Sequence, residues 1–200
     1  LEFYGLSGFP YESGYIGFLW IFRITDGNND GPIEVELVSS RDGINWIREE
    51  ALNGERMPVL PTGPKGSWDQ GMIFTPNHPL VENNIIKLWY GGVWATHDAP
   101  GDSARAGIGL ATLRKDGFAS LDAGSSVGMV TSKPLKNLHG LLRVNTSASS
   151  GSLKVEVLME NGQVVPGFSS GECKAVQGDG TDLPVSWQHQ RYLPDSLGAL

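Results

Sequence analysis

The order of apolar and polar residues predicts short β-strands along most of the chain. Residues 15–24 (YIGFLWIFRI) form a continuous apolar run that is too short and too rich in aromatic and β-branched side chains to favour a helix. A dense turn signal at residues 26–32 follows. Residues 33–40 (IEVELVSS) alternate apolar and polar with a period of two, which is typical of a strand with one buried face. Residues 41–43 (RDG) then turn the chain into a short outer strand at 44–47. These stretches predict an antiparallel meander.

The same order of elements recurs further along the chain. A short apolar run at residues 72–75 precedes an aromatic strand at 85–90 (IIKLWY) and a strand at 106–113 (AGIGLATL). A turn at residues 115–117 then leads to a predicted last strand at 118–121. The Asp-Gly turns that close the two copies lie 74 residues apart. A repeat with four short strands in each copy is typical of the blades of a β-propeller.

The sequence changes after about Gly124, where Ser, Gly and Val replace the bulky aromatic residues. Residues 140–146 and 153–159 both alternate apolar and polar, and the small residues 147–151 lie between them. Asn161-Gly162 is a hairpin signal, after which residues 164–168 would form the return strand. This pattern indicates a small β-sandwich.

We therefore predict an all-β protein made of two parts. Residues 1–123 are expected to form a partial β-propeller of about two four-stranded blades. Residues 124–200 are expected to form a small β-sandwich-like module. Because a propeller closes as a ring of typically four or more blades, the chain resembles an internal piece of a longer protein. Open blade edges would then be available for self-association.

The composition limits the classes of partner that the protein could bind. The net charge is −7, and no more than two Lys or Arg residues are adjacent, so the chain lacks the clustered cations that a nucleic-acid surface needs. No apolar stretch approaches the ~20 residues of a membrane-spanning helix. Cys173 is the single cysteine, which rules out an intrachain disulfide and a cysteine-based metal site. No cofactor motif is present, and we predict neither a cofactor nor a metal. No signal peptide is visible, but the first residue is Leu1, so the location of the protein stays open.

Four segments together resemble the later blades of five-bladed propeller glycosidases, the relatives of glycoside hydrolase families 32 and 43. They are residues 39–46 (SSRDGINW), 66–73 (GSWDQGMI), 88–92 (LWYGG) and 108–118 (IGLATLRKDGF). Residues 140–144 and 153–168 are similar to the β-sandwich that often follows such propellers. The resemblance implies a secreted or periplasmic protein that acts on an oligo- or polysaccharide. The Asp residues of the two Asp-Gly turns are expected to be structural, because such turns lie on the outer edge of a blade.

In this family the catalytic carboxylates line the central pocket, and hydrolysis needs two of them ~5–10 Å apart. The resemblance makes Asp69 and Glu12 the candidate catalytic residues, although the complete set cannot be identified. The alternative for each is a turn or solvated carboxylate. Four further residues are predicted to contact the sugar: Trp68, His78, Trp94 and His97. For the two histidines the alternatives are a general-acid role and a loop-capping role.

Two functions follow from this sequence. In the first, the chain is part of a glycoside-hydrolase-like, carbohydrate-active protein and is inactive by itself. In the second, it is a non-catalytic carbohydrate-binding or structural β module. A carboxylate pair in a shared cleft would favour the first function, and the absence of such a pair would favour the second.

Overall fold

The computed structural model describes residues 1–25, 29–99, 105–136 and 138–194. Within these ranges the protein is all-β, as predicted, with strands and turns and no helix. The chain divides into two compact units, Leu1–Phe118 and Ala119–Leu200, so the division falls slightly before the predicted boundary between residues 123 and 124. The strands are β1 (Glu2–Tyr11), β2 (Gly14–Phe22), β3 (Ile33–Ser40), β4 (Trp46–Arg48), β5 (Pro58–Leu60), β6 (Met72–Phe74), β7 (Leu80–Glu82), β8 (Ile85–Val93), β9 (Ala106–Arg114), β10 (Arg143–Leu153) and β11 (Val176–Pro184).

The first sheet is an antiparallel meander of β1, β2, β3 and β4. A tight turn joins β1 to β2, and β2 pairs with β3 along its length. The continuous apolar run is thus the inner strand β2, because both of its faces are covered, and the alternating run is β3. Strand β4 pairs with the last residues of β3, while β5 pairs with β3 nearer its start. Of the predicted turn at residues 26–32, residues 26–28 lie outside the described ranges.

The second sheet is built around β8 and differs from the prediction. Strand β9 pairs with one edge of β8, and the short strands β6 and β7 share the other edge. Residues 118–121 form no strand. Residues 115–118 make a turn, and the ring of Phe118 packs edge-on against Tyr11 with centroids 5.0 Å apart. Burial of this ring against the first sheet directs the chain away from the edge of β9.

A single parallel pair, Ile33 with Met72, joins the two sheets into one hydrogen-bonded network. The predicted pair of equivalent four-stranded blades is therefore not what the described residues form. The first sheet has the expected four-strand order, and the second has the long pair β8–β9 with two short strands beside it. A closed ring of blades is not present in the part of the chain that the structure describes.

A hydrophobic core lies between the two sheets. It consists of five side chains that are at most 5 per cent exposed: Phe9, Phe18, Val35, Ile73 and Leu88. The first three come from the first sheet and the last two from the second. On the opposite face of the first sheet, Trp46 covers the cross-strand pair Gly8 and Gly17. A Cβ atom on either glycine would come within 2.9 Å of the indole, so both glycines are needed for the ring to lie on the sheet.

The two Asp-Gly turns have different geometries. In the first, Oδ1 of Asp42 accepts the backbone N–H groups two and three residues later, at 2.9 and 2.7 Å, and Gly43 has a φ of 74°. In the second, Asp116 itself has the positive φ, 60°, and its carboxylate accepts a hydrogen bond from the hydroxyl of Tyr11 at 2.6 Å. Both contacts agree with the structural role expected for these aspartates. The first stabilises its own turn, and the second ties its turn to β1.

The second unit contains one two-stranded sheet, β10 with β11, among its described residues. Strand β10 runs through residues 147–151, which lie between the two predicted strands. Ser147 and Ala148 pair with β11, and pairing resumes at Leu153 after a register shift. The hairpin turn at Asn161-Gly162 is formed, with Gly162 at a φ of 82°. A second sheet facing the first, which a sandwich requires, is not seen in residues 119–136 and 138–194.

The core of the second unit surrounds Trp187, which is 1 per cent exposed. Its ring packs edge-on against Phe168 at 4.9 Å between centroids, and its Nε1 donates to the carbonyl of Val155 at 3.0 Å. Cys173 is a buried free thiol in the same cluster. The cysteine therefore packs as a small apolar residue.

Candidate functional site

Asp69 is the centre of a buried polar cluster in the first unit. It lies in the loop between β5 and β6 and is 8 per cent exposed. Its Oδ1 accepts a hydrogen bond from the Ser67 hydroxyl at 2.8 Å, and its Oδ2 accepts one from the phenol of Tyr90 at 2.8 Å. The N–H of Gly63 donates to its backbone carbonyl at 3.1 Å. Both carboxylate oxygens are bonded to protein, so the position of Asp69 is fixed.

Two glycines provide the space that this cluster needs. A Cβ atom at Gly63 would overlap Oδ1 of Asp69. A Cβ atom at Gly92 would lie 2.6 Å from the Cβ of Asp69 and equally close to the ring of Trp68. The segment 88–92 (LWYGG) therefore supplies both the tyrosine that binds Asp69 and the glycine that lets the loop approach β8.

The hydrogen bonds keep Asp69 ionised. Burial by itself would raise the pKa of Asp69, but the bonds from Ser67, Tyr90 and its own backbone N–H favour the charged form and lower the pKa below the ordinary 3.8. Burial and the hydrogen bond to the Asp69 carboxylate raise the pKa of Tyr90. At neutral pH the pair is a carboxylate and a protonated phenol. A carboxylate with a lowered pKa is a poor proton donor, so Asp69 does not suit the role of a general acid.

Trp68 adds an aromatic surface beside this pair. Its indole stacks on the ring of Tyr90 with centroids 5.8 Å apart and planes 17° apart. It also covers the cross-strand pair Gly92 and Gly107, where an added Cβ would come within 3.1 Å. Trp68 is nevertheless 40 per cent exposed. A ring that is fixed on one side and accessible on another can cover the C–H groups of a ligand. We call Ser67, Trp68, Asp69 and Tyr90 the Asp69 cluster.

Trp94 and His97 lie in the loop that follows β8, at the same end of that strand as the Asp69 cluster. The ring of His97 packs against Tyr4 and Phe22, at centroid distances of 5.4 and 4.6 Å. Its Nε2 is 3.3 Å from the Tyr4 hydroxyl, while its buried Nδ1 has no hydrogen-bond partner among the described residues. These contacts fix the loop on the first sheet. A ligand-contacting role of Trp94 and His97 stays a prediction.

Glu12 lies far from the Asp69 cluster. It occupies the turn between β1 and β2 with its side chain 70 per cent exposed, and its carboxylate is 3.9 Å from Nζ of Lys115. Lys115 follows the end of β9 that pairs with Ile85, whereas Asp69 contacts Gly92 near the other end of β8. The seven residue steps from Ile85 to Gly92 along β8 span about 23 Å. The structure therefore does not bring Asp69 and Glu12 together across one cleft, and a catalytic role for each stays a prediction.

His78 lies in the loop between β6 and β7. Its Nδ1 donates to the carbonyl of Pro79 at 2.6 Å, and its ring packs on Phe9 with centroids 5.3 Å apart. The first contact lies within the loop, and the second holds the loop against the first sheet. Four of the six predicted site residues thus lie near the end of β8 at Val93: Trp68, Asp69, Trp94 and His97.

Tyr90 is the member of the Asp69 cluster that, unlike Trp68 and Asp69, the sequence did not single out as a candidate site residue. The run at residues 85–90 identified it only as part of an aromatic strand. Alternation along β8 places Tyr90 on the same face as Leu88, which is 5 per cent exposed. A tyrosine hydroxyl near a buried face requires a hydrogen-bond partner, which was the available signal. The identity of that partner depends on the path of the loop at residues 61–71, which the local pattern does not specify.

The described residues contain no group of three or more His, Cys, Asp or Glu side chains arranged to hold a metal ion. They also contain no helix of the length and hydrophobicity that would span a membrane.

Comparison with known proteins shows a distant similarity to a protein from Flavonifractor plautii, the A type blood N-acetyl-alpha-D-galactosamine deacetylase. The two are 26 per cent identical over 172 residues, which cover 84 per cent of this chain and 19 per cent of the relative. The chain therefore spans about a fifth of the length of that relative. No protein-family model matches the chain, and no solved structure matches it. A similarity of this extent does not assign the chain to a family.

Proposed function

We propose that the chain is part of a carbohydrate-active protein and that the Asp69 cluster contacts a sugar. The observation that carries the proposal is the partly exposed indole of Trp68, stacked on Tyr90 beside an ionised carboxylate. Sugars expose C–H groups on their ring faces and hydroxyls at their edges. An aromatic surface with fixed polar groups beside it matches both. The similarity to a protein named as a deacetylase of N-acetyl-α-D-galactosamine supports a carbohydrate as the ligand class.

We further propose that the two sheets derive from blades of a glycoside-hydrolase-type propeller. The four-stranded meander β1–β4 supports this origin, as does its packing against the second sheet. A further support is that each sheet has a tryptophan covering a cross-strand glycine pair, Gly8 with Gly17 and Gly92 with Gly107. On this proposal a complete ring and a complete catalytic set require residues beyond those described.

The chain by itself is proposed to bind rather than to hydrolyse. Both oxygens of Asp69 are bonded to protein, and the other candidate carboxylate, Glu12, lies near the opposite end of the strands. This separation exceeds the ~5–10 Å that glycosidase carboxylates require. It favours the second candidate function, a non-catalytic carbohydrate-binding part. The named relative acts on an acetyl group, whereas the propeller resemblance implies cleavage between sugars, so both reactions belong in the test.

Binding is tested on a glycan array that includes glycans ending in N-acetyl-α-D-galactosamine and in α-D-galactosamine. Trp68→Ala is expected to weaken binding of the preferred glycan about tenfold, which corresponds to ~1.4 kcal/mol for one lost aromatic contact. Trp89→Ala is the matched control, because Trp89 is 45 per cent exposed and points to the opposite face of β8 from Tyr90. Equal losses in both variants, or no bound glycan, would overturn the proposal.

Turnover is measured in parallel as acetate release from N-acetyl-galactosaminides and as hydrolysis of chromogenic glycosides. We expect neither reaction from this chain. Turnover that disappears in Asp69→Asn and persists in Trp89→Ala would contradict the binding-only part of the proposal and identify Asp69 as catalytic.

A further inference from the structure

A groove at the turn between β1 and β2 lies apart from the Asp69 cluster. Its volume is about 210 Å³, which is smaller than the ~300–1,000 Å³ of pockets for drug-sized ligands. It therefore matches one monosaccharide-sized group. Its lining includes Tyr11, Glu12, Ser13, Tyr15 and Arg41.

Two tyrosines form rigid walls of this groove. The hydroxyl of Tyr11 donates to Asp116 at 2.6 Å, and its ring packs edge-on against Phe118. The ring of Tyr15 lies over Gly43, where an added Cβ would be 3.3 Å away, and its centroid is 6.4 Å from that of Trp46. Both rings are held by contacts outside the groove. Binding would therefore cost little ordering of these side chains.

Three polar side chains of the groove, those of Glu12, Ser13 and Arg41, have few partners of their own, whereas the hydroxyls of Ser39 and Ser40 are hydrogen-bonded. Arg41 makes no ion pair and Ser13 no hydrogen bond within the described ranges, and the contact of Glu12 with Lys115 is long at 3.9 Å. Burial and the hydrogen bond to Asp116 raise the pKa of Tyr11 to about 12, so its phenol stays neutral. The guanidinium of Arg41 can donate and the carboxylate of Glu12 can accept, while their charges balance.

From these features we infer that the groove is a second saccharide-contacting site on the first unit. Sugar hydroxyls both donate and accept hydrogen bonds, so they match a donor and an acceptor that lie in one small groove between aromatic rings. The balanced charges favour a neutral sugar over an anionic ligand. The inference rests on the proposed carbohydrate function, but it involves no residue of the Asp69 cluster.

Two substitutions remove the polar groups without disturbing the fold. Glu12 has a φ of 49°, a left-handed conformation that Asn adopts more readily than Glu, so Glu12→Asn retains the turn and removes the charge. Arg41→Gln removes an exposed side chain that has no partner among the described residues. Lys65→Gln, at another exposed and unpaired cation in the described part of the chain, is the matched control.

The test is a two-dimensional ¹H–¹⁵N NMR titration of the whole chain with N-acetyl-D-galactosamine and, separately, with D-galactose. We expect saturable shifts of the amides of residues 11–16 and 39–41. Arg41→Gln and Glu12→Asn should each raise the Kd for these shifts about fivefold or more, as expected for a hydrogen bond to a charged group at an exposed site. Lys65→Gln and Trp68→Ala should leave that Kd unchanged.

The outcomes separate the two proposals. Shifts confined to the Asp69 cluster would overturn the groove and leave the proposed function standing. Shifts at residues 11–16 that persist in Trp68→Ala would support the groove even if the Asp69 cluster fails its own test. Groove shifts that are equal in Arg41→Gln, Glu12→Asn and the unsubstituted chain would refute the assigned contacts.

Discussion

Tyr90→Phe tests whether the Asp69 cluster is held together as described. The substitution removes the hydroxyl that donates to Asp69 at 2.8 Å and keeps the ring on which Trp68 stacks. A hydrogen bond to a charged group contributes ~1.5–3 kcal/mol. Because Asp69 is 8 per cent exposed, water replaces the lost donor poorly. We therefore expect the free energy of unfolding of the first unit to fall by about 2 kcal/mol at pH 7.

The effect should depend on pH. The pKa of Asp69 is lowered in the folded protein, so the stability that its ionised form contributes is present above the unfolded value of 3.8 and is lost as pH falls through the folded pKa. Tyr90→Phe removes part of that lowering. The difference between the variant and the unsubstituted protein should therefore be largest near neutral pH and should shrink as pH falls below 3.8.

Urea denaturation followed by tryptophan fluorescence at several pH values measures both effects. Tyr15→Phe is the control, since the hydroxyl of Tyr15 makes no hydrogen bond in the described part of the chain, and we expect it to change stability by less than ~0.5 kcal/mol. An unfolding free energy for Tyr90→Phe equal to that of the control at pH 7 would refute the argument. A loss that stays constant from pH 7 to acid would mean that the bond to the Asp69 carboxylate is not its cause.

Two further substitutions test the turns and the packing. Gly92→Ala places a Cβ 2.6 Å from Asp69 and Trp68, so overpacking should lower the free energy of unfolding by ~1–3 kcal/mol. The substitution should also weaken glycan binding, as Trp68→Ala does. An unchanged free energy of unfolding in urea would contradict the described packing. Asp42→Ala should lower the Tm at pH 7, because hydrogen bonds from the backbone and side chain of Asn45 lower the pKa of Asp42 and stabilise the turn in its ionised form. Calorimetry should show that the difference in Tm between Asp42→Ala and the unsubstituted protein becomes smaller in acid, because protonation of Asp42 removes the stability that its ionised form contributes.

Alternation and turn signals were sufficient to predict most strands of the first unit. Residues 33–40 and 106–113 form β3 and β9 almost as expected, because local period-two patterns determine which face is buried. The prediction failed where a distant contact decided the outcome. Residues 118–121 form no strand because the ring of Phe118 packs against Tyr11 of β1. Residues 147–151 belong to the long strand β10, which pairs with β11 at Ser147, Ala148 and Leu153, and nothing in that short segment indicates this partner.

In the candidate site, too, local features could be predicted from the sequence and distant contacts could not. Trp68 and Asp69 are adjacent in sequence, so their association could be predicted locally, and the structure adds Tyr90 from the neighbouring strand. The expected pairing of Asp69 with Glu12 required knowledge of which strand ends meet. Both residues adjoin turns, and turn residues collect at both ends of an antiparallel sheet, so their sequence context could not distinguish one end from the other.

Besides turn positions such as Gly43 and Gly162, glycines have a second role inside the strands. At two places a tryptophan covers a cross-strand glycine pair: Trp46 over Gly8 and Gly17, and Trp68 over Gly92 and Gly107. The first ring covers apolar residues of the sheet and its Nε1 bonds to its own turn at 3.2 Å, so it is structural. The second has an ionised carboxylate beside it and stays 40 per cent exposed. The same packing thus supports the fold in one sheet and, on the proposed function, provides a ligand surface in the other, and the difference lies in the polar group that adjoins the ring.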